Sequence, residues 1–313
     1  MSGRVVVLTG GVGGAKLVRG LALALEPSSV TAIVNTGDDF RHLGLSISPD
    51  IDTLLYTLSG KADPAKGWGR ANESWSFMAA ARSLGMPDWF QLGDGDLALH
   101  VDRSMRLAAG ERLHAITRRH AEAWNVSVEM LPMSDDPVAT RLVTDEGELA
   151  FQDYFVRRRC APAVRAIRFE GAEVARPAPG VIERLGEPGL RAILIAPSNP
   201  YLSIDPILAV PGLREVLQAA RAPVVAVSPL VGGKAVKGPT GKIMAELGIE
   251  SSDRRIADHY AGLIDALLVD NRYPQVVGGI RTGEADILMR DDMDRRRVAE
   301  AALALCDQLG PKP

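Results

Sequence analysis

Cysteine is scarce in this 313-residue sequence. Cys160 and Cys306 are the only two, they lie far apart, and no C-x-x-C occurs. That excludes a disulfide framework and a cysteine zinc site, and it fits a reducing cytoplasm. Aromatic residues make up only 5% of the chain, and no basic tract is interleaved with them. The formal net charge is −3. Neither feature suits a nucleic-acid surface, and the charge gives no global attraction to anionic lipid. No apolar run approaches the about 18 residues needed to span a bilayer. The opening "MSGRVVVLTGG" has no small-residue cleavage pattern and reads as a first strand rather than a signal peptide. No internal repeat and no low-complexity tract is present.

What is present is alternation. Residues 4–9 form a β-branched run, as expected of a strand buried on both faces. A glycine loop follows, then "AKLVRGLALALE" at helical spacing, then a second apolar strand in "SVTAIVNTGDD". This is a βαβ unit, whose crossover should be right-handed. "DIDTLLYTLSG" predicts a helix starting just after Pro49, with Asp50 or Asp52 near its N-terminus. Residues 61–125 hold all four tryptophans and few β-branched residues, and read as a mostly helical insertion. Strand character returns in "VSVEMLPM", "TRLVTDEGELAFQDYFV", "LRAILIAPSNP" and "APVVAVSPLVGG", and "DRRRVAEAALALCDQLG" closes the chain as an amphipathic helix. The expectation is one α/β domain over 1–313, doubly wound, mostly parallel and Rossmann-like, with a helical insertion at about 61–125. The polar clusters at 9–16, 35–39, 133–136, 197–200 and 228–239 then fall at the carboxyl ends of strands, where such sheets bind ligands.

"LTGGVGGAKL" matches no standard phosphate loop in full. A Walker A loop needs Gly-Lys-Ser/Thr, but Lys16 stands between Ala15 and Leu17. A dinucleotide fingerprint accepts Gly11 and Gly13, but Lys16 takes its third glycine position, and the second strand ends in Asn35 rather than a ribose-binding acid. That disfavours an NAD-dependent dehydrogenase. The shared physics survives: glycine amides at a helix N-terminus can approach an anion, and Lys16 would add charge on the first turn. The competing reading is a tight turn that only packs a helix on the sheet.

"NTGDDFRHLGLSISPDIDT" carries Asp38, Asp39, Asp50 and Asp52 in adjacent loops. Mg²⁺ commonly takes one or two such carboxylates plus substrate phosphates; solvated caps are the alternative. Asp39 and Asp52 are the expected metal ligands, with Asp50 next, and the same acids could instead take a proton from an alcohol. "LGDGD" and "MSDD" add more acids, and Asp135 or Asp136 could equally be a cap or turn residue before Pro137. His114 and His120 read as exposed helix residues, and only His42 and His100 lie beside acidic loops. No G-x-S-x-G elbow supports a hydrolase.

Taken in order, "GGVGGAKL", "NTGDD", "SPDIDTLLYTL", "GWG", "LGDGDLALH", "LPMSDDPV", "FQDYFV", "APSNP", "VSPLVGG" and "KGPTGK" resemble the 2-phospho-L-lactate transferase family of coenzyme F420 biosynthesis. The likeness spans residues 5 to about 273. It implies transfer of a phospho-(three-carbon acid) group from a guanosine diphosphate ester to the 5′-hydroxyl of the deazaflavin Fo, with release of GMP. The acid is lactate, phosphoenolpyruvate-derived or glycerate-derived. Mg²⁺ and a cytoplasmic homodimer are implied as well. Asp52, Asp50 and Arg41 become the catalytic candidates. Asp52, Gln91, Trp68, Asp94, Met133, Ser134 and Asp135 become the Fo candidates. Gly11, Gly13, Gly14, Lys16, Ser198, Asn199, Ser228 and Gly238 become the nucleotide candidates. The chain departs from the family at Gln91, where a basic residue is common, and at Gly95, where arginine is expected. Arg41 and His42 could pair with the carboxylate of the acid. The insertion around 67–100, with its Trp and His residues, should form a wall for a planar tricycle. The gluconeogenesis-factor family of uridine-sugar binders shares the glycine loop and core but lacks "SPDIDT" and "LPMSDDPV", and supplies the alternative of a non-catalytic sensor.

Overall fold

The computed structural model describes residues 3–64, 68–235, 238–273 and 278–312. Gly67 and Lys237 of the quoted motifs lie outside them. Strand β1 (Val5–Thr9) leads into helix α1 (Gly11–Ala24) and strand β2 (Val30–Val34). A hairpin, β3 (Phe40–His42) with β4 (Leu45–Ile47), precedes α2 (Pro49–Leu58). Three helices follow: α3 (Ser76–Ser83), α4 (Asp94–Ala108) and α5 (Leu113–Ala123). Next come β5 (Glu129–Pro132) and an antiparallel sheet of β6 (Ala139–Thr144), β7 (Gly147–Ala150) and β8 (Val164–Glu170), with β6 central. The remaining elements are α6 (Val181–Leu185), β9 (Ala192–Ile195), α7 (Asp205–Leu208), α8 (Leu213–Ala219) and β10 (Val224–Val227). A small ribbon, β11 (Leu230–Val231) with β12 (Lys234–Ala235), is followed by α9 (Thr240–Glu246), α10 (Asp253–His259), β13 (Ala266–Asp270), β14 (Arg281–Ala285) and α11 (Asp292–Leu309).

Seven strands form one parallel sheet in the order β14-β13-β10-β9-β1-β2-β5. Strands β1, β2, β9, β10 and β13 are buried at every position. Their Val, Ile, Leu and Ala runs suit a sheet covered on both faces. Alternation along β1 divides the core. Val5 and Val7 face Leu17 and Leu21 of α1, Leu54 of α2 and Ala302 of α11. Val6 and Leu8 face the layer of Leu213, Ile243, Ile256 and Tyr260. Full burial of each such side chain contributes roughly 1.5–3 kcal/mol. The doubly wound, Rossmann-like expectation is met.

Some local expectations are not. "FQDYFV" forms no strand. After the β6–β7 hairpin the chain turns through a single π-helical turn, Asp153–Arg157, with Tyr154 buried in the core. Core packing of one aromatic overrides its β-like composition. Strands β8, β13 and β14 lie outside the segments expected. Charges interrupt β8 and β14, while β13 is only five residues long.

The chain winds outward from β1 through β2 to β5, then resumes on the other side at β9. The β1–β9 boundary is therefore the topological switch point, the place where sheets of this kind bind ligands. Helix α1 rises from it and packs on α11, close enough that a Cβ on Gly20 would lie 2.1 Å from the Arg295 carbonyl oxygen. Gly20→Ala should therefore overpack the α1–α11 contact and lower stability by about 1–3 kcal/mol. Urea denaturation checks this, and an unchanged midpoint would show that the helices can separate freely.

Candidate active site

The switch point is sealed by one serine. Ser198 Oγ donates to the Gly10 carbonyl (2.7 Å), and the Gly10 amide lies 3.2 Å from the same oxygen. The turn has no room for side chains. A Cβ at Gly13 would meet the Pro197 oxygen at 2.5 Å, and one at Gly14 would meet Thr9 Oγ1 at 2.1 Å. Gly11 adopts φ +63°, which favours glycine. Helix α1 opens with amides at Gly11, Val12 and Gly13 that lack helical acceptors. The Gly11 amide donates to Asp50 Oδ1 at 2.7 Å. Lys16 is the sixth residue of α1, so it sits beyond the first turn expected, and its Nζ donates to the Met289 carbonyl at 2.6 Å.

Beside this turn lie the four aspartates. Asn35, at the end of β2, gives Nδ2 hydrogens to Asp38 Oδ1 and Asp50 Oδ2, both at 2.9 Å, and accepts from the Gly37 amide at 2.8 Å. Burial pushes the Asp38 carboxyl well above the usual range, and the nearby Asp50 charge adds to this. Burial likewise lifts Asp50 from 3.8 to about 6, against the hydrogen bonds from Asn35 and Gly11. Asp39 is also raised by burial; it accepts from Ser48 Oγ at 2.6 Å, and its Oδ1 is shielded from solvent without a hydrogen-bond partner. Asp52 differs. Both of its oxygens are engaged by the Arg103 guanidinium of α4.

Two helix stripes form this part of the site. Asp52 and Tyr56 are i and i+4 on α2; Asp96, His100 and Arg103 are i, i+4 and i+7 on α4. Tyr56 donates to Asp96, and His100 Nε2 lies 3.0 Å from Asp96 and Nδ1 3.6 Å from Asp52. The D-x-x-x-H-x-x-R spacing was the available signal for Arg103, which the motif reading passed over.

The other candidates scatter. Asp94 caps α3, accepting from Ser74 Oγ and from the amides of Ser76 and Phe77. Gln91 is exposed, with Nε2 2.5 Å from the Asp88 carbonyl. Trp68 is 57% exposed. Met133 is buried in the core, and Ser134 Oγ donates to the Arg176 carbonyl. Asp135 accepts from the His114 amide at 2.8 Å and contacts its Nδ1, while Asp136 accepts from the Arg176 amide. Arg41 is exposed on the hairpin, donates to the Gly44 carbonyl at 2.7 Å, and lines a cavity of about 430 Å³ against α4. Asn199 Oδ1 accepts from Tyr201 and Leu202, while its Nδ2 is shielded and unpartnered. Ser228 Oγ donates to Asp253 and accepts from the Leu230 amide. Gly238 stands before α9 with open space around its Cα.

His120 is not exposed: α5 turns it inward, where it meets Asp102 at 2.7 Å. His114 is half-buried at Asp135. His42 is buried in an aromatic group, its ring centroid 5.0 Å from Trp89 and 5.8 Å from Phe90. At the departure from the family pattern, a Cβ on Gly95 would lie 2.1 Å from Arg70 Nη1, so the guanidinium of Arg70 occupies the space above that glycine.

Sheet, switch point and glycine turn define a Rossmann-like α/β protein with its polar groups gathered at the carboxyl edge. A family model described as 2-phospho-L-lactate transferase CofD matches residues 5–305. A phosphoenolpyruvate transferase of Kitasatospora aureofaciens is 44% identical, covering 98% of each chain. Those of Streptomyces avermitilis (42%, 98% of this chain and 99% of the relative) and Mycolicibacterium smegmatis (36%, 96% and 98%) are similar throughout. A solved UPF0052-family protein from Bacillus halodurans shares the fold, with TM-score 0.63 at 20% identity, covering 96% of this chain and all of that one. The chain belongs to the 2-phospho-L-lactate transferase family and is a transferase of coenzyme F420 biosynthesis. No helix among the described residues is long and apolar enough to cross a membrane.

The raised carboxyls have a consequence for stability. The folded value of Asp50, about 6, exceeds the ordinary 3.8 of an unfolded chain, so the native state holds a proton that the unfolded state has released. The contribution of Asp50 therefore falls as pH rises from about 4 to 6, by about 3 kcal/mol at about 1.4 kcal/mol per unit. Asp50→Asn should flatten this slope in urea denaturation run in EDTA between pH 4.5 and 7. An identical slope would show that Asp50 titrates normally.

Proposed function

We propose that the protein transfers a phosphoenolpyruvyl-type group from a guanosine diphosphate ester to the 5′-hydroxyl of Fo, forming a phosphodiester and releasing GMP. The supporting observation is that buried polar atoms without partners recur at the carboxyl ends of β1, β2 and β9: Thr9 Oγ1, Thr36 Oγ1, Asp39 Oδ1 and Asn199 Nδ2. Buried polar atoms are normally hydrogen-bonded, so their recurrence at these strand ends fits a polar ligand. The names of the relatives favour the enolpyruvyl acid over lactate or glycerate.

The sequence carries no G-x-S-x-G or similar nucleophile motif, so direct in-line displacement at the β-phosphorus is the simplest chemistry. Catalysis then rests on positioning and neutralisation of charge. The amides at the start of α1, with Ser198 and Asn199, would hold the diphosphate and nucleoside. Asp50 presents its carboxylate at this same helix start, where a phosphate would be repelled. Bound Mg²⁺ would resolve that conflict by neutralising the phosphoryl oxygens and the acids together. Asp39, with its free oxygen, and Asp50 fit this role. Asp52, expected as a ligand, is turned to Arg103. Among the described residues no three His, Cys, Asp or Glu side chains form a metal shell, but Mg²⁺ commonly uses one or two carboxylates and substrate phosphates. Trp68 and Trp75 are exposed in the insertion, and a planar tricycle could stack on either. Both cysteines are free thiols, in keeping with a reducing cytoplasm.

Incubation with Fo, Mg²⁺ and each ester, followed by mass spectrometry, should give the phosphodiester, with the enolpyruvyl ester preferred by about tenfold or more over the lactyl ester. Absence of product with every ester, together with thermal stabilisation by UDP-N-acetylglucosamine but not by GDP, would favour the sensor. Arg41→Ala should weaken the ester selectively while GDP and Fo still bind, as titration of all three ligands can read. Unchanged ester affinity would leave Arg41 as a surface charge.

A further inference from the structure

Arg103 is almost fully buried, at 1% exposure, in a region crowded with carboxylates. Its fork engages both oxygens of Asp52, Nη1 reaches the Ser46 carbonyl at 3.3 Å, and the same nitrogen lies 3.4 Å from His100 Nδ1. Three separate elements meet at this guanidinium: α2 through Asp52, β4 through Ser46, and its own α4. At the same residue the Ser46 amide donates a hydrogen bond to Ser104 Oγ of α4, at 2.7 Å. The hairpin carrying Phe40, Arg41 and His42 is thereby fixed to α4 as well.

A stability role alone accounts poorly for this arrangement. A buried ion pair gains little net energy over apolar packing of similar volume, because desolvation opposes the attraction. The hydrophobic group around Met78 and Leu92 lies close at hand in the same insertion. What a bidentate fork supplies that apolar packing cannot is orientation: it fixes the plane of the carboxylate as well as its position.

We propose that Arg103 is a positioning residue for the transfer reaction, locking the Asp52 carboxylate in one orientation toward the acceptor alcohol and tying the α4 insertion to the phosphate side of the site. The inference rests on the proposed transfer to Fo, with Asp52 bordering the acceptor. Arg103 itself touches no substrate. It also explains why the insertion and the sheet must keep register: a shift of α4 by a fraction of a turn would swing Asp52 away from the acceptor.

The test compares Arg103→Lys, Arg103→Met, Asp52→Asn and the Asp52→Asn/Arg103→Met double variant. Lysine keeps the charge but not the fork; the double variant removes both charges, so no buried carboxylate is left unpaired if Arg103→Met alone fails to fold. Thermal melting establishes folding. Fo affinity is read from the fluorescence of the deazaflavin, GDP affinity by calorimetry, and kcat and KM with the enolpyruvyl ester. The expected result is a folded Arg103→Lys enzyme with kcat lower by roughly 10–100-fold, weakened Fo binding and unchanged GDP binding. The double variant should be no slower than Asp52→Asn, since both changes disable one unit. Wild-type kcat and Fo affinity in folded Arg103→Lys would overturn the inference, as would parallel loss of GDP and Fo binding. A double variant much slower than Asp52→Asn would also overturn it. A wild-type protein that neither binds Fo nor turns over any ester would sink the transfer reading instead, and the inference with it.

Discussion

Too much negative charge in too little water is the constraint around which this structure is arranged. Asp38, Asp50 and Asp52 are buried at the carboxyl edge of the sheet, with Asp39 beside them. Each would prefer solvent or a cation. The fold answers with fixed donors: the two amide hydrogens of Asn35, the Gly11 amide, the Ser48 hydroxyl and the Arg103 guanidinium. These donors come from β1–α1, the end of β2, the β4–α2 turn and α4. Holding the acids in place is therefore a task shared by most of the elements that surround the site.

The same constraint separates two kinds of aspartate. Asp52 has a permanent counter-charge and is held by two hydrogen bonds. Asp38 and Asp50 have only neutral donors, and burial raises both. Asp39 is also raised well up by burial, against the Ser48 hydroxyl and the Arg103 charge, and keeps one unpartnered oxygen. Four acids that look alike in one sequence segment thus acquire different chemistry from their neighbours.

The fold was readable because its strands are unbroken apolar runs, each ending in a polar loop. The glycine turn and the aspartate segment were readable because their residue types are unusual at strand ends. Arg103 was not, since an arginine in a helix of mixed charge reads as solvated surface until α2 is placed against it. The inward turn of His120 was hidden for the same reason, being set by which face of α5 meets α4. Asp94, Asp135 and Ser228 are ligand candidates in the sequence, and in the fold Asp94 and Asp135 meet the first amides of α3 and α5 while Ser228 donates to Asp253. Short polar side chains serve caps and ligands equally well, and only their neighbours distinguish the two uses. Strand β8 stayed hidden because Arg165, Arg168 and Glu170 interrupt its apolar pattern.

Ser198 hydrogen-bonds the Gly10 carbonyl while meeting the Gly10 amide, so the ends of β1 and β9 are joined before any ligand arrives. Glycines 13 and 14 lie flush against Pro197 and Thr9, leaving that turn little freedom. A ligand crossing the boundary would have little chain left to immobilise there, and its affinity would lose little to ordering entropy. The hairpin and the insertion, proposed as the acceptor side, are joined differently, by a small hydrophobic group of Ile47, Met78 and Leu92 and by the polar contacts of Arg103 and Ser104. Motion accompanying a catalytic cycle should concentrate there, so that turnover is paced by the insertion while the sheet edge stays still.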